Sequence, residues 1–342
     1  MSDTPADRYA RQRILPMVGE AGQERLRRAQ VVVVGCGATG GLIAEHLTRA
    51  GVGALRLIDR DLVEWSNLQR QLLFTEADAD AGTPKAIAAV ERLRQVNRDV
   101  ALEARVVDLH AANVAECLAG ADLVMDGTDN FETRFLLNDA CVRDGRPWVY
   151  CGAITTEAMV MPIVPGVGPC LRCLIPDAPA PGSVATCDTA GVLGPAVGVA
   201  ASLAAAEGLR ILLGAPGENP APLLQADLWE REFHRFRVPR RSDCPACGRG
   251  EFPFLTVAAV THATSLCGRN AIQITATRPV RLDLAALAER LRSVGPVSLT
   301  PFLLRAEVDG YRLTVFPDAR AIVEGTTDET TARALYSRYV GV

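Results

Sequence analysis

The sequence predicts an α/β fold, with a doubly wound and mostly parallel sheet followed by a small α+β domain. Val31 to Val34 form a β-branched run that ends at a glycine, as a buried parallel strand does. Strand and helix patterns then alternate with short connections, which is typical of doubly wound sheets. After about residue 250 the pattern changes to short strands and two helices, which indicates a separate unit.

The elements of the first part follow in chain order. Charged and apolar residues alternate at helical spacing from Arg8 to Arg28, which predicts one or two amphipathic helices before the sheet. The further predicted strands are Leu55–Asp59, Leu102–Val107, Leu123–Asp126, Trp148–Gly152, Met159–Val164, Leu223–Leu228 and Phe233–Val238. Glu207 and Arg210 interrupt the apolar segment from Val192 to Leu213, which therefore predicts a core helix and no membrane span.

We place the domain boundary at residue 250, so that residues 1–250 form the first domain and residues 251–342 the second. The predicted elements of the second domain are strand Ala271–Thr275, helix Leu284–Arg292, strands Leu303–Val308, Tyr311–Phe316 and Ala321–Glu324, and helix Glu329–Tyr339. The sequence leaves the role of this domain open.

Composition excludes several classes of function. The 342 residues are 49% hydrophobic with a net charge of −4, so a large core is expected without the basic patch of a nucleic-acid-binding protein. The N-terminus has neither a basic start nor an apolar stretch, so a cytoplasmic location is expected. Ten cysteines in a reducing compartment indicate metal binding or chemistry rather than disulfides.

A glycine-rich turn follows the first strand and opens a helix. Its expected nucleotide-binding positions are Gly35, Gly37, Ala38 and Gly40. Glycines allow the backbone to approach phosphates closely, and the helix N-terminus supplies N–H donors. Asp59 ends the next strand, where a ribose-binding carboxylate is expected. These residues alone favour a dinucleotide, so an NAD-dependent oxidoreductase is the first alternative.

Further polar residues near the predicted strand ends favour nucleotidyl transfer instead. They are Asp61, Ser66, Asn67, Arg70, Lys85, Asp129 and Asn130. Cations offset the charge that builds on leaving phosphates, and a carboxylate can hold Mg²⁺. Hydride transfer requires neither. Ligands of open α/β sheets bind at these carboxyl ends of strands.

Five sequence blocks resemble, in order, the ThiF/MoeB/HesA adenylyltransferases, bacterial relatives of the ubiquitin-activating E1 enzymes. The blocks are Arg8–Gln12, the glycine turn, Ser66–Gln71, Pro84–Lys85 and Thr128–Asn130. The resemblance covers roughly Arg8 to Gly248 and implies a Rossmann-like, E1-like fold. Two departures are Ala38, where the family usually has a third adjacent glycine, and a slightly longer stretch between Arg70 and Lys85.

The resemblance implies ATP and Mg²⁺ as cofactors. Phosphate contacts are implied for Asn67, Arg70 and Lys85. Asp59 would hold the ribose and Asp129 the Mg²⁺. Arg11 would reach the triphosphate of a neighbouring subunit, which implies a homodimer.

The implied substrate is the C-terminal glycine carboxylate of a small ubiquitin-like sulfur-carrier protein with a diglycine tail. Adenylation would release pyrophosphate and prepare a thiocarboxylate, with sulfur from a cysteine desulfurase or another donor. Thiamine, molybdopterin or thiolated-tRNA synthesis would use the product. The alternatives are a conjugating E1 that forms a thioester at Cys187 and a non-catalytic E1-like scaffold.

Nine of the ten cysteines divide into three groups, and Cys267 is left unassigned. Two CxxC pairs predict a closed, structural Zn²⁺ site, although a redox-active CxxC is an alternative. The pairs are Cys170 with Cys173 and Cys244 with Cys247. Cys187 precedes the long apolar helix, and a helix start favours the thiolate, so it is a candidate nucleophile at the family's cysteine position. Small apolar core residues are predicted at Cys36, Cys117, Cys141 and Cys151.

Overall fold

This computed structural model describes residues 8–179, 187–214, 222–256, 263–266, 270–275 and 281–341, and only the backbone of residues 187, 188 and 263–266. The chain divides into two compact units, Met1–Val257 and Ala258–Val342. The boundary predicted at residue 250 lies a few residues before this division.

The described part of the first unit contains eight strands and ten α-helices. The strands are β1 Gln30–Val34, β2 Ala54–Ile58, β3 Ala101–Arg105, β4 Leu123–Asp126, β5 Trp148–Ile154, β6 Glu157–Ile163, β7 Leu223–Asp227 and β8 Glu232–Phe236. The helices are α1 Ala10–Arg13, α2 Gly19–Arg28, α3 Ala38–Ala50, α4 Glu76–Ala81, α5 Lys85–Val96, α6 Val114–Cys117, α7 Phe131–Arg143, α8 Leu171–Leu174, α9 Cys187–Ala190 and α10 Gly194–Leu213. Two 3₁₀-helices span Trp65–Asn67 and Pro253–Leu255.

The eight strands form one sheet in the order β3-β2-β1-β4-β5-β6-β7-β8. Strands β1 to β5 pair in parallel, and β6, β7 and β8 continue the sheet in antiparallel fashion. The predicted doubly wound, mostly parallel sheet is confirmed. Strand β1 lies between β2 and β4, so the strand order reverses there. A ligand crevice is expected at this point, outside the carboxyl ends of the strands.

Helices cover both faces of the sheet. Val31 and Val33 pack into the core formed with α3, α5 and α10, whereas Val32 and Val34 face the core formed with α7. Burial on both faces explains why β1 is a continuous apolar run. Helix α10 is the one helix of the described chain that is long and apolar enough to cross a membrane. It packs against α3, β5 and β6 as a core helix does.

The described part of the second unit contains a six-stranded antiparallel sheet and two helices. Its elements are β9 Ala263–Leu266, β10 Ala271–Ile274, α11 Leu284–Leu291, β11 Val297–Leu299, β12 Leu304–Val308, β13 Tyr311–Val315, β14 Ala321–Glu324 and α12 Glu329–Tyr339. The strand order is β11-β12-β13-β14-β10-β9, and both helices pack on the same face. Strands β9 and β11, the two edges of this sheet, were not predicted.

Candidate active site

The turn between β1 and α3 packs closely against the segment after β4, and this contact needs glycine at two positions of the turn and at Gly127. Gly35 has a φ of +84°, which L side chains rarely adopt. A Cβ on Gly40 would lie 1.8 Å from the Gly35 carbonyl oxygen, and one on Gly127 would lie 2.4 Å from the same atom. Ala38 starts α3 and is absent from the residues with positive φ. The departure from the family pattern at Ala38 therefore brings no backbone strain.

The N-terminus of α3 offers free donors to an anion. Its N-cap is Gly37, which has no side chain to bond the first-turn N–H groups, so these donors remain for a ligand. Gln71 lies opposite this turn, because a Cβ on Gly37 would be 3.6 Å from the Gln71 Nε2 atom. Among the described residues, the buried Gln71 Oε1 has no hydrogen-bond partner. The turn therefore combines room, donors and a side-chain amide suited to a nucleotide.

Asp59 ties the end of β2 to the glycine turn. Its Oδ2 accepts a hydrogen bond from the Cys36 N–H at 2.6 Å, and its Oδ1 accepts one from the Asp61 N–H at 2.7 Å. Burial raises the pKa of this carboxyl above its ordinary value, although the nearby Lys85 ammonium acts in the opposite direction. The structure thus brings the predicted ribose-binding carboxylate to the turn and holds it rigidly.

Lys85 supplies a buried cation beside the turn. Its Nζ lies 3.2 Å from Asp61 Oδ2, and its backbone N–H donates to the Asp61 carbonyl at 2.9 Å. Burial, the largest single influence, lowers the pKa of Lys85, but the carboxylates of Asp61, Asp59 and Asp129 bring it above its ordinary value. The ammonium is therefore charged at neutral pH, and its contact with Asp61 orients it.

The segment after β2 presents Asn67 and Arg70. Asn67 is buried at the end of the 3₁₀-helix Trp65–Asn67, and its Oδ1 accepts a hydrogen bond from the Glu64 N–H at 3.2 Å. Arg70 is half-buried and donates from Nη1 to the Ser66 carbonyl at 3.0 Å. The Ser66 side chain is exposed. The guanidinium of Arg70 keeps most of its donors for a ligand.

The turn after β4 leaves Asp129 exposed while its neighbours are held. Asn130 caps α7, because its Oδ1 accepts a hydrogen bond from the Thr133 N–H at 2.8 Å. The Asp129 carboxylate is exposed and is close enough to Lys85 to raise the pKa of that ammonium. An exposed carboxylate at a strand end, beside cations and a glycine turn, is a suitable oxygen ligand for a Mg²⁺ ion bound to phosphates.

The four predicted zinc ligands form one cluster. Their Sγ atoms all lie within 4.8 Å of one another, with Cys170 3.6 Å from Cys244 and Cys173 3.4 Å from Cys247. Four sulfurs bound to Zn²⁺ at about 2.3 Å lie about 3.8 Å apart in a tetrahedron. The cluster therefore fits such an ion.

The thiols of this cluster do not share one acidity. Burial raises the pKa of Cys170, and it raises that of Cys173 to about 11. For Cys244 burial acts in the same direction, but hydrogen bonds from the Cys247 backbone and from neighbouring thiols leave the pKa below its ordinary value. The remaining predicted core cysteines are all buried, as expected: Cys36, Cys117, Cys141 and Cys151.

Comparison with known proteins identifies the family of the first unit. Residues 9–246 match the ThiF family. This chain belongs to the ThiF family. The predicted resemblance to ThiF/MoeB/HesA proteins is confirmed. A Bacillus subtilis protein named sulfur carrier protein ThiS adenylyltransferase is 41% identical over 338 residues, which covers 98% of this chain and 99% of that protein.

A second relative and one solved structure also resemble this chain. A Thermus thermophilus protein named sulfur carrier protein adenylyltransferase is 46% identical over 247 residues, 71% of this chain and 90% of its own. Escherichia coli MccB has the same fold, with a TM-score of 0.63, 24% identity, and coverage of 73% of this chain and 74% of its own. Of these three, the Bacillus relative is matched over the largest share of the ThiF-family chain, 98%.

Arg11 lies far from the glycine turn of its own chain. The neighbouring Gln12 donates from Nε2 to the carbonyl of Ala50, the last residue of α3. The glycine turn is at the other end of this 13-residue helix, about 20 Å away. Arg11 is exposed, and no hydrogen bond or ion pair within the described residues involves it. The ThiF-family chain therefore does not complete its site with its own Arg11.

The side chain of Cys187 lies outside the described residues. Its backbone begins α9, and the segment that follows is fixed to the β5–β6 turn. The Thr155 N–H donates to the Gly191 carbonyl at 3.0 Å, and the Leu193 N–H donates to the Thr155 carbonyl at 2.7 Å. Thr155 has a φ of +51°, a strained conformation for a β-branched residue. This anchor holds α9 at the carboxyl end of β5.

Three residues that shape the site were not predicted from the sequence. Gln71 lay in a recognised block but received no role, although a glutamine between arginine and an apolar pair was a signal for a polar contact. Thr155 carried no signal, because its strain depends on the hairpin that it closes. Arg134 interrupts the apolar face of α7 eight residues after Asp126, and a buried partner could have been inferred from that.

Proposed function

We propose that this chain uses ATP to adenylate the C-terminal glycine carboxylate of a small ubiquitin-like sulfur-carrier protein. Three features at the carboxyl ends of the parallel strands support the proposal. They are the glycine turn, the cations Lys85 and Arg70, and the exposed carboxylate of Asp129. The Bacillus and Thermus relatives, whose names specify a sulfur carrier protein and adenylyl transfer, support the same reaction.

In this reaction a carboxylate oxygen of the carrier forms a bond to the α-phosphorus of ATP. The bond from that phosphorus to the bridging oxygen breaks, and pyrophosphate leaves with the electron pair. The N–H groups of α3 hold phosphate oxygens, while Lys85 and Arg70 offset the charge that grows on the leaving group. Mg²⁺ beside Asp129 would neutralise further phosphate charge.

The test of this function is ATP–pyrophosphate exchange with purified carrier proteins. Exchange is expected only when a carrier with an intact diglycine tail is present, because a shortened tail does not bring its terminal carboxylate to the α-phosphorus of ATP. A carrier that lacks its last glycine is the matched control. Absence of exchange with every ubiquitin-like carrier that accompanies this chain in its cell would contradict the proposal.

An exposed aromatic hairpin offers a docking surface for the carrier. Trp229 lies in the β7–β8 turn and Phe233 in β8, and both are 70% exposed; Phe236 is 45% exposed but lies on the opposite face of β8. The pairings Ile154 with Glu157, Glu157 with Asp227 and Asp227 with Glu232 place the β7–β8 turn at the edge of the sheet where β5 ends. This is also the side on which the glycine turn lies. Exposed apolar patches of this kind mark binding surfaces.

The distance from this surface suits a tethered tail. Strand β8 lies four strands from β4, about 19 Å at the usual strand spacing. An extended tail of about six residues covers that distance. We therefore assign the β7–β8 hairpin to the folded body of the carrier, whose tail then reaches the nucleotide.

Replacing Phe233 with serine is expected to raise the KM for the carrier about tenfold, because one exposed aromatic anchor is lost. The KM for ATP and the kcat with saturating carrier are expected to stay within about twofold. Steady-state exchange kinetics measure all three. Val167→Ser, at another exposed apolar residue, is the control. An unchanged carrier KM in Phe233→Ser would place docking elsewhere.

We also propose a homodimer in which each subunit lends Arg11 to the site of the other. The 20 Å separation within one chain supports this arrangement, as does the cluster of exposed apolar residues that follows Arg11. These are Ile14, Leu15 and Met17, which are 76%, 48% and 64% exposed. Such residues in a row favour a contact with another protein surface.

Mixing two inactive variants tests the shared site. Arg11→Ala and Asp129→Asn are each expected to be nearly inactive alone, whereas their mixture after subunit exchange is expected to recover about a quarter of the wild-type rate. Half of the random dimers are then mixed, and each mixed dimer has one complete site. A mixture no more active than the sum of its components would contradict the shared site.

The later steps form a further part of the proposal. We propose that the cysteine cluster holds a structural Zn²⁺ and that the chain is cytoplasmic, where thiols stay reduced. A cysteine desulfurase or another donor would supply the sulfur. Cys187 takes part either in sulfur transfer or in a thioester with the carrier. An adduct cleaved both by thiol reductants and by hydroxylamine would identify the thioester.

A further inference from the structure

A buried arginine lies behind the turn that carries Asp129. Arg134 is in the second turn of α7 and is 7% exposed. Its Nε lies 3.1 Å from Asp126 Oδ2, and its Nη2 donates to the Thr128 carbonyl at 2.6 Å and to the Cys151 carbonyl at 3.1 Å. One guanidinium therefore joins the end of β4, the turn after it and the neighbouring β5.

Asp126, the last residue of β4, accepts hydrogen bonds from both Thr128 and Arg134. Its Oδ1 accepts hydrogen bonds from the Thr128 N–H at 2.8 Å and from the Thr128 hydroxyl at 2.6 Å. Its Oδ2 accepts the bond from Arg134 and a longer one, 3.4 Å, from the Cys151 N–H. Thr128 is thus gripped at its N–H, its hydroxyl and its carbonyl, so its backbone orientation is determined.

The ion pair is a costly way to stabilise a fold. Asp126 is 0% exposed, and the rings of Phe131 and Tyr150 lie 5.4 Å and 5.2 Å from the Arg134 guanidinium carbon. Replacing a pair buried this deeply with apolar residues is often neutral or stabilising. We therefore assign the ion pair a role in geometry: its three hydrogen bonds fix the backbone of the turn after β4 relative to β5.

The Asp129 carboxylate depends on that geometry. Its own recorded hydrogen bond is a long one, 3.5 Å from Asn130 Nδ2, which does little to hold it. On one side the turn is fixed by Thr128, and on the other by the Asn130 cap of α7. The direction of the Asp129 side chain is therefore set by its two neighbours and not by contacts of its own.

We propose that Arg134, together with Asp126, is a positioning residue that directs the Asp129 carboxylate toward the metal–nucleotide complex. The inference rests on the proposed function only in taking MgATP as the ligand. Arg134 itself is buried and touches no substrate; it acts through Thr128. A loss of positioning is expected to weaken binding of the metal complex of ATP while leaving metal-free ATP unaffected.

The experiment compares ATP affinities by calorimetry with and without Mg²⁺. Arg134→Lys keeps the charge, but one ammonium cannot reproduce the planar fork that reaches three acceptors. Its affinity for MgATP is expected to fall about tenfold, with the affinity for metal-free ATP within about twofold of wild type. Thr128→Val, which loses only the hydroxyl bond to Asp126 and keeps the shape, is expected to show the same selective loss at about threefold.

Arg146→Lys is the matched control, because Arg146 donates to the Ala121 carbonyl at the opposite end of the same two strands. It is expected to bind MgATP as wild type does. Equal losses with and without Mg²⁺, or no loss in either Arg134→Lys or Thr128→Val, would overturn the inference. Binding needs no carrier, so a wild-type protein that binds MgATP without catalysing exchange would overturn the proposed function alone.

Discussion

Replacing Arg70 with alanine is expected to lower the rate of carrier-dependent ATP–pyrophosphate exchange about 100- to 1,000-fold. The guanidinium is half-buried and, within the described parts of the chain, donates one hydrogen bond, to the Ser66 carbonyl. Its remaining donors are therefore directed at the ligand, and they matter most when charge grows on the leaving pyrophosphate. The substitution leaves no buried charge without its partner, so the melting temperature is expected to change by less than about 2 °C.

A matched control is available on the far end of a helix that borders the site. Arg143 ends α7, opposite the Asn130 cap, and pairs with Asp144. Arg143→Ala is expected to keep the wild-type exchange rate within about twofold. An Arg70→Ala protein that is folded and retains more than a tenth of the wild-type rate would remove Arg70 from the reaction.

The second large effect concerns stability and the cysteine cluster. Replacing Cys244 with serine is expected to lower the melting temperature by about 10 °C, since a tetrahedral ion loses one of four ligands. The cluster joins segments 74 residues apart, at Cys170 and Cys244, so its loss frees a long stretch of chain. Treatment of the wild-type protein with a strong zinc chelator is expected to give a similar decrease.

The control for this prediction is a buried cysteine outside the cluster. Cys141 is 0% exposed within α7, and Cys141→Ala is expected to lower the melting temperature by only about 3 °C and to keep its response to the chelator. Elemental analysis of the purified protein measures the metal directly. A reduced wild-type protein without bound metal, or a Cys244→Ser variant as stable as Cys141→Ala, would contradict a structural zinc site.

The parts of the site that depend on local chemistry could be predicted from sequence. The β-branched run of β1 followed by Gly35 and Gly40 is a local pattern, and the carbonyl that a Cβ would strike belongs to the same turn. The position of Asp59 beside the glycine turn could be predicted because the carboxyl ends of parallel strands lie on the same side of the sheet. The cysteine cluster could also be predicted, since each CxxC pair presents two thiolates from one turn of the chain.

What could not be predicted depends on contacts between distant segments. Arg134 gains its role only because α7 lies over β4 and β5, and its partner Cys151 is 17 residues away. Thr155 is strained only because the β5–β6 hairpin holds the segment after α9. Strands β9 and β11 have four and three residues and lie at sheet edges, where pairing and not local preference decides the conformation.

Residues at the carboxyl ends of the parallel strands are proposed to join AMP to the tail of a carrier protein. The most direct measurement follows ATP labelled at the α-phosphate and, separately, at the γ-phosphate in the presence of carrier. The α label is expected to remain on the carrier through its terminal glycine, the γ label is expected to leave as pyrophosphate, and Asp129→Asn is expected to prevent both. Transfer of the γ label to the carrier, or carrier that stays unlabelled while ATP is consumed, would contradict the proposal.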